Sequence, residues 1–351
     1  MALDRQNYAG NGSDINEPYQ AAASRYDATE YRRAGTTGLF LPPLSLGLWY
    51  NFGDNRPFQT MREVARRAFD SGITHFDLAN NYGPPPGSAE ENFGRILAKD
   101  LGRYRDELII STKAGYRMHQ GPYGEWGSRK ALLSSLDASL GRMGLDYVDI
   151  MYSHRPDPDT PVEETVAALD AAVRSGKALY GALSNYTPEQ TAAAVAVARD
   201  LGVPLVLHQP RYSMLDRRPE PELARVTADA GIGMIAFSSL AQGLLTDRYL
   251  AGVEIERATP RPFFDPKLAA SEEMVTRLQG LAAVAKQRGQ SLSQLALSWL
   301  LQRPNLTSAL IGVSTVAQLE ENLGVLAAAP LSEAELAEID RHIAAQGEAL
   351  V

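Results

Sequence analysis

The sequence predicts an α/β fold, namely a single (β/α)₈ TIM barrel with a polar N-terminal extension and C-terminal closing helices. From residue 44 onward, eight short apolar runs alternate with segments of helical periodicity, and several of these segments end at glycine, a common helix stop. This alternation implies parallel strands joined by right-handed crossovers. An open doubly wound sheet has the same pattern. Residues 44–322 are nevertheless close to the roughly 250 residues of a typical barrel plus insertions, which favours the barrel.

The predicted elements follow in chain order. Strands are predicted over 45–48, 75–78, 108–112, 148–152, 178–183, 205–209, 233–238 and 308–311. Helices are predicted over 60–70, 89–101, 129–143, 161–175, 188–201, 220–230 and 272–288. Residues 241–270 lack periodicity and are expected to form an extra loop on the functional face of the barrel. Closing helices are predicted over 316–325 and 332–345, the second with a capping box of Ser332 and Glu335.

The first 33 residues differ in character from the rest of the chain. They are polar, rich in Gly, Asn and Tyr, and carry no periodic apolar face, so residues 1–33 are predicted to be an N-terminal arm. Residues 34–351 then form the barrel domain.

Composition and charge exclude several classes of function. The 351 residues contain no cysteine, which rules out disulfides, thiolate catalysis and iron–sulfur clusters. The five histidines show no metal-site spacing, and no metal is expected. A net charge of −8, without long basic runs, indicates no nucleic-acid partner. Because neither a signal peptide nor a long apolar stretch is evident, we expect no membrane partner and a cytoplasmic location.

Ionisable residues lie at three successive predicted strand ends. Asp77 ends the second strand and is followed by Tyr82, Lys113 ends the third, and His154 ends the fourth. Neighbouring strands are about 5 Å apart, so these four side chains are expected to converge. Each alone has a structural interpretation: a buried ion pair for Asp77 and Lys113, packing for Tyr82, and a hydrogen-bonded core histidine for His154. Their joint occurrence favours a catalytic interpretation.

The chemistry that this set supports is proton donation. A free tyrosine has a pKa near 10, and lowering it by about three units takes roughly 4 kcal/mol. We expect Lys113 to supply that stabilisation to the Tyr82 phenolate, Asp77 to keep Lys113 charged, and His154 to hold the oxygen that receives the proton. Nucleophilic catalysis fits less well, since no serine or threonine has an evident adjacent base.

The chain also resembles the aldo-keto reductases over residues 31–343. The motifs that carry the resemblance are Leu46-Gly-Leu-Trp49, Asp77-Leu-Ala-Asn-Asn-Tyr82-Gly, Ser111-Thr-Lys113, Asp149-Ile-Met-Tyr-Ser-His154, Leu183-Ser-Asn-Tyr186, Gln209, Leu240-Ala-Gln-Gly-Leu-Leu245 and the segment 312–322. Residues 81–92 are most similar to the branch that contains bacterial L-glyceraldehyde 3-phosphate reductases and potassium-channel β-subunits. The resemblance implies a barrel that binds NADPH (NADP), with Tyr82 as general acid, and a homo-oligomer (tetramer or higher).

The resemblance also implies a set of cofactor-binding residues. They are Gly47, Trp49, Asp77, Ser184, Asn185, Gln209, Tyr212, Ser238, Leu240, Gln242, Gly243, Arg248, Gly312, Ser314, Gln318, Glu321 and Asn322. In this set Ser184, Asn185 and Gln209 hold the carboxamide, Tyr212 stacks on the nicotinamide, and Arg248 grips the 2′-phosphate. The segment from Ser238 to Gly243 lines the pyrophosphate, and the segment from Ser314 to Asn322 holds the adenosine end.

Structural interpretations of the same cofactor residues remain open. Ser184-Asn185 is equally well placed to cap the following helix, Gly243 to form a simple turn, and Gln318 and Asn322 to lie on a solvent-exposed helix face.

The expected partner is a small-molecule carbonyl substrate. Trp49, Tyr50, Tyr82, His154 and Arg155 are the predicted substrate-binding residues. Trp49 equally fits core packing, and Arg155 fits either a substrate anion or a surface salt bridge. We therefore predict an NADP-dependent reductase of small aldehydes or ketones.

Two other functions compete with the reductase. One is an NADPH-binding regulatory subunit with slow turnover. The other is an isomerase or aldolase that uses Lys113 as a Schiff-base amine, which the neighbouring Asp77 disfavours because it keeps that amine charged.

Overall fold

The computed structural model describes residues 18–250 and 266–343 and shows a closed barrel of eight parallel strands. The barrel strands are β3 (Leu44–Gly47), β4 (His75–Asp77), β5 (Ile109–Ala114), β6 (Val148–Ser153), β7 (Ala178–Ser184), β8 (Leu205–Gln209), β9 (Gly233–Ala236) and β10 (Leu306–Ile311). Each strand pairs with the next in sequence, and β10 pairs with β3 to close the barrel. The predicted barrel is confirmed, and every predicted strand is present with shifts of at most two residues at either end.

The described helices surround this barrel. They are α1 (Phe58–Asp70), α2 (Ser88–Ile96), α3 (Arg129–Met143), α4 (Val162–Arg174), α5 (Pro188–Leu201), α6 (Glu222–Ala230), α7 (Pro266–Ala269), α8 (Glu272–Gln287), α9 (Leu292–Leu301), α10 (Val316–Leu323) and α11 (Glu333–Ile343). Leu97–Leu101 continues α2 as a π-helical turn, and Gly324–Ala327 ends the α10 region as a 3₁₀ turn. The predicted Ser332–Glu335 capping box is present, since the backbone N–H of each residue donates to the side chain of the other.

Two of the described helices, α7 and α9, were not predicted from the sequence, and α9 is the longer one. Its sequence, Leu-Ser-Gln-Leu-Ala-Leu-Ser-Trp-Leu-Leu, is apolar on nearly every side, and eight of its ten residues are buried. A helix buried all round shows no amphipathic period. The signal that marks it is a capping box, Ser291 with Gln294, which the structure forms in full.

The described part of the N-terminal arm packs on the outside of the barrel. Tyr19 donates to Asp70 at 2.6 Å, and the Ala22 backbone N–H donates to the same carboxylate oxygen at 2.8 Å. The arm ends in a short strand, β1 (Arg32–Arg33), which pairs antiparallel with β2 (Phe40–Leu41). The proposed boundary after residue 33 therefore falls inside this hairpin.

The same hairpin covers one end of the barrel. Leu39 and Leu41 pack with the barrel-interior residues Ile150, Leu207 and Ile235. The Thr36 N–H donates to the carbonyl of Gly231, which lies just before β9 begins, so the hairpin sits at the amino-terminal end of the strands. The opposite, carboxyl-terminal end is left for the loops that follow the strands, where barrels of this kind carry their sites.

Candidate active site

The four predicted catalytic side chains meet at the carboxyl end of the strands. Asp77 is the last residue of β4, Lys113 lies near the end of β5, and His154 directly follows β6. Lys113 Nζ lies 2.5 Å from Asp77 Oδ2 and donates to the Leu78 carbonyl at 2.7 Å. Lys113 Nζ also lies 3.4 Å from the Tyr82 hydroxyl, and the Tyr82 and His154 rings meet edge-on at 5.9 Å. One ammonium thus links a carboxylate to a phenol.

The ion pair is buried and fully hydrogen-bonded. Asp77 is 1% exposed and Lys113 0%. The second Asp77 oxygen accepts from Ser111 at 2.7 Å and from Gln209 at 3.2 Å. Burial lowers the pKa of Lys113, and the Asp77 carboxylate opposes that shift. Since every polar atom of the pair has a partner, the geometry is fixed before any substrate arrives.

The pKa of Tyr82 departs from the sequence-based expectation. Burial raises the pKa of Tyr82 well above its ordinary value, and the Asp77 charge adds to that shift. The expected lowering by Lys113 is therefore absent in the protein alone, because desolvation of the phenolate outweighs the nearby ammonium. Tyr82 keeps its proton across neutral pH, which is the state that a proton donor requires.

His154 offers a neutral donor beside that phenol. Burial lowers the pKa of His154 well below its ordinary value, and the charges of Lys113 and Arg155 lower it further. The imidazole therefore carries a single N–H at neutral pH. Its Nδ1 has no hydrogen-bond partner among the described residues, while its ring packs edge-on against Tyr116 at 4.6 Å. Such an unpaired buried polar atom at a site is suited to a ligand.

Backbone strain is concentrated around the same mouth. Non-glycine residues with positive φ follow β7, at Asn185 (φ 62°), and β9, at Ser238 (55°), Ala241 (46°) and Gln242 (58°). Such conformations cost of order 1–3 kcal/mol each and cluster where a loop must present its backbone to a ligand. Gln242 donates to the Ser238 hydroxyl at 3.1 Å, which holds this loop closed on itself.

A helix begins at the end of the last strand. Thr315 caps α10 by accepting from the Gln318 N–H, and the Ser314 hydroxyl donates to the Gln318 side chain at 3.0 Å. Gly312, just after β10, is exposed, and a Cβ added there would meet nothing within 4 Å. Asn322 is buried, whereas Gln318 and Glu321 are exposed. A helix N-terminus that follows a strand attracts anions.

Tyr212 is not at the cleft. Its side chain is 1% exposed, its hydroxyl is hydrogen-bonded to Glu220, and its ring packs edge-on against Trp299 at 5.9 Å. The expected stacking of Tyr212 on a nicotinamide is therefore wrong for this structure, because packing turns the ring toward the helices. Phe237, directly after β9, is partly exposed and packs with the barrel-interior residues. Phe237 was not among the predicted site residues, although it follows a strand end as the predicted catalytic residues do.

Aromatic rings form the outer wall of the site. Trp49 and Tyr50 are partly exposed, with ring centroids 4.3 Å apart, and Trp49 lies 6.3 Å from the Tyr82 ring. The Arg155 guanidinium lies 3.7 Å from the Trp126 ring centroid and is paired with Glu125. In the protein without substrate, Arg155 therefore forms a salt bridge, which is one of the two interpretations that the sequence left open.

The other predicted site residues lie on this rim. Ser184 donates to the Gln209 carbonyl at 2.9 Å, and Asn185 donates to the His154 carbonyl at 2.9 Å. Neither residue caps α5, which Thr187 caps instead. Leu240 and Gly243 lie in the loop after β9, Gly47 ends β3, and Arg248 is exposed in the short turn Asp247–Tyr249. Half of the predicted loop 241–270 lies outside the described residues, which omit 251–265.

Comparison with known proteins agrees with this geometry. The model of the Aldo/keto reductase family matches residues 43–344. The chain belongs to the aldo/keto reductase family. It is 54% identical over 330 residues to the L-glyceraldehyde 3-phosphate reductase of Escherichia coli, with 92% of this chain and 95% of that protein covered.

More distant relatives extend the comparison to another class of protein. This aldo/keto reductase is 34% identical over 314 residues to a probable voltage-gated potassium channel subunit beta of Oryza sativa subsp. japonica, covering 88% of the chain and 94% of the relative. A homologue with the same description in Arabidopsis thaliana is also 34% identical, over 309 residues, covering 86% of this chain and 92% of that protein. The branch expected from residues 81–92 is confirmed, and the protein is an oxidoreductase.

The described residues contain neither a cluster of metal-ligating side chains nor a membrane-spanning helix. No group of three or more potential ligand side chains suited to a metal ion occurs within 18–250 and 266–343. No helix in that part of the chain has the length and apolar character needed to cross a bilayer.

Proposed function

We propose that the protein reduces small aldehydes and ketones to alcohols with NADPH as the cofactor. The observation that carries the proposal is the Lys113 ammonium, held between the Asp77 carboxylate at 2.5 Å and the Tyr82 hydroxyl at 3.4 Å. This arrangement stabilises a negative charge on the phenol oxygen after the phenol has given up its proton. A Schiff-base role for Lys113 is disfavoured, since the same carboxylate keeps the amine protonated.

The residues then divide the work of proton transfer. Tyr82 donates its proton to the carbonyl oxygen of the substrate as that oxygen gains charge. Lys113 stabilises the resulting phenolate, and Asp77 keeps Lys113 charged and oriented toward Tyr82. His154 donates its single N–H to the same substrate oxygen and fixes its position. When bound, NADPH supplies the hydride that the carbonyl carbon receives.

The rim residues fit a dinucleotide. Ser184, Asn185 and Gln209 present hydroxyl and amide groups suited to a carboxamide, and Phe237 replaces Tyr212 as the aromatic surface. The strained loop at Ser238–Gln242 and the start of α10 present backbone N–H groups suited to phosphates.

Selectivity for NADP is assigned to one arginine. Arg248 is exposed on the same rim, and its guanidinium has two parallel N–H donors that match a 2′-phosphate. Thr315, next to Ser314, is uncharged, so Arg248 carries this contact without a second cation from that position.

The proposed substrates are short aldehydes that carry a phosphate or a second carbonyl. Support comes from the relative that is 54% identical and is described as an L-glyceraldehyde 3-phosphate reductase. The aromatic wall of Trp49, Tyr50 and Trp126 offers room for a short carbon chain, and Arg155 is the cation next to His154. In this proposal a substrate phosphate displaces Glu125 from Arg155.

Turnover of defined aldehydes tests the proposal. The purified protein is mixed with NADPH and either L-glyceraldehyde 3-phosphate or methylglyoxal, and the loss of NADPH absorbance is followed. We expect saturable, substrate-dependent oxidation of NADPH, faster than with NADH. Tight NADPH binding with negligible turnover across an aldehyde panel would instead support a regulatory subunit; the relatives that are 34% identical are described as probable potassium channel subunits. The homo-oligomer and the cytoplasmic location stay predictions; light scattering of the purified protein checks the first.

A further inference from the structure

A chain of buried polar side chains leads from the catalytic ion pair into the barrel, away from the cleft. Ser111 Oγ lies 2.7 Å from Asp77 Oδ1 and 3.0 Å from His75 Nε2. His75 Nδ1 lies 2.9 Å from Ser45 Oγ, and Ser45 Oγ lies 2.7 Å from Ser308 Oγ. All five side chains are at most 1% exposed. The proposed proton transfer does not use His75, Ser45 or Ser308, so their hydrogen bonds require another explanation.

Counting protons fixes the direction of every bond in this chain. A carboxylate paired with an ammonium only accepts, so Ser111 donates to Asp77. Because a hydroxyl has one proton, Ser111 accepts from His75, whose Nε2 therefore carries the hydrogen. Burial lowers the pKa of His75 to about 4, so the ring is neutral and its Nδ1 accepts from Ser45. Ser45 in turn accepts from Ser308, whose hydroxyl also lies 3.3 Å from the Pro43 carbonyl oxygen, and every donor hydrogen between Ser45 and Asp77 points toward Asp77.

We propose that His75 is a positioning residue for the reduction, acting through Ser111 on the Asp77–Lys113 pair; this rests on the proposed function. Hydrogen bonds aligned in one direction polarise one another, so His75 strengthens the bond from Ser111 to Asp77. That bond draws negative charge of Asp77 away from Lys113. The Lys113 ammonium then stabilises the Tyr82 phenolate more strongly, and Tyr82 becomes a better proton donor.

Other charged and titratable groups act on the same centre and stay constant in the test. Glu90 raises the pKa of Lys113, and the charge of Asp77 raises the pKa of both Tyr82 and Tyr152. The charge of Lys113 lowers the pKa of His154. Glu90, Tyr152 and His154 form no hydrogen bond to His75 or Ser111 among those of the described residues. The substitutions below leave all of them in place.

Three single variants cut the chain at increasing distance from Asp77. With NADPH saturating, Ser111→Ala should lower kcat about tenfold, His75→Asn about threefold and Ser45→Ala less than about twofold. In the profile of kcat against pH, the alkaline limb should move to higher pH in the same order, because a phenol that is a weaker acid loses its proton at higher pH. The KM for NADPH should not change. Ser111→Thr keeps the hydroxyl and should restore most of kcat.

Matched controls separate this effect from loss of stability. His208 is as buried as His75, and Ser298 is a buried helix serine that bonds to Gln290 at 2.9 Å. We expect His208→Asn and Ser298→Ala to lower the midpoint of thermal unfolding while kcat stays within about twofold. If His208→Asn lowers kcat as much as His75→Asn, or Ser111→Ala leaves both kcat and the alkaline limb unchanged, the proposal is overturned.

The design keeps this proposal distinct from the proposed function. If His75→Asn does not fold, Ser111→Ala and Ser45→Ala decide the matter, since each removes a single oxygen. If the unsubstituted protein reduces no aldehyde, the proposed function fails. The chain is then tested by the tyrosinate absorbance of Tyr82, taken as the difference from Tyr82→Phe. Ser111→Ala should raise the midpoint of that titration, and an unchanged midpoint would overturn the proposal.

Discussion

The catalytic cluster and the cofactor rim occupy the same end of the barrel but are built in opposite ways. In the cluster, Asp77 and Lys113 are almost fully buried, and each polar atom of the pair has a partner. On the rim, Gln318 and Arg248 are exposed, and the backbone of Ser238 and Gln242 is strained. Strands hold the cluster, whereas loops and a helix N-terminus hold the rim.

This difference separates the tasks of the two regions. Proton transfer depends on distances fixed to a fraction of an ångström, so its groups sit on strands and bond to one another. Binding a large anion needs donor groups that the ligand can reach, so the rim keeps exposed side chains and presented backbone groups. Changes in the cluster should therefore affect both the rate and the stability, while changes on the rim should affect binding.

Removal of the Lys113 ammonium is expected to have the largest effect on stability, together with a large effect on the rate. Lys113→Met leaves the Asp77 carboxylate buried without its counter-charge, which costs about 3–5 kcal/mol of unfolding free energy. The reduction kcat should fall about 10²–10³-fold, as when one charge-stabilising donor is lost. Urea unfolding and steady-state kinetics measure the two effects. Asp77→Asn/Lys113→Met should recover part of the stability and none of the activity; recovery of activity would contradict the assigned role.

Acid should destabilise the protein through buried neutral histidines. Burial lowers the pKa of His75 and of His208 to about 4, and it also lowers the pKa of His154 well below its ordinary value. Between the unfolded pKa of about 6.5 and the folded values, only the unfolded chain binds these protons, so stability falls as the pH falls. Each histidine contributes about 1.4 kcal/mol per pH unit, and the three together up to about 4.

Urea unfolding over a pH series measures that slope. His208→Asn should reduce the slope by about a third, because one of the three protons is removed. An unchanged slope in this variant would mean that His208 does not contribute. The cofactor rim contains none of these histidines, so Arg248→Ala should leave the slope as it is.

A smaller effect is expected from the rim. Arg248→Ala should raise the KM for NADPH about tenfold through the loss of a charge-assisted contact, with kcat and the KM for NADH unchanged. Arg248→Lys should be intermediate, since it keeps the charge but not the fork. Arg225→Ala, at an exposed helix arginine paired with Asp229, is the matched control and should change nothing. Equal loss of affinity for NADPH and NADH would place Arg248 away from the 2′-phosphate.

The sequence was informative about the cluster for a physical reason. Successive strand ends must meet in a closed parallel barrel, so Asp77, Lys113 and His154 could be placed together without knowledge of any side-chain orientation. The link from His75 to Asp77 follows from the same geometry, since residues two apart on a strand share a face. Side-chain direction outside the strands is not fixed in this way. Tyr212 lies three residues past β8, and only its packing on Trp299 decides that it faces away from the cleft.

Two further features depended on tertiary packing. Helix α9 shows no amphipathic period because neighbours cover it on all sides. The pKa of Tyr82 rises because desolvation exceeds the effect of Lys113, a balance that residue types alone do not give. The rim residues were identified through family resemblance, since exposed polar residues on loops have no periodic pattern.

The central claim, that Tyr82 is the proton donor of the site, is tested most directly by Tyr82→Phe in a single turnover. The variant keeps the ring and removes only the hydroxyl that lies 3.4 Å from Lys113 Nζ. With NADPH bound and an aldehyde added, the account predicts that NADPH oxidation slows by about 10²–10⁴-fold, while NADPH affinity measured by fluorescence stays the same. Oxidation at more than about a tenth of the original rate would contradict it, because the proton would then come from another group.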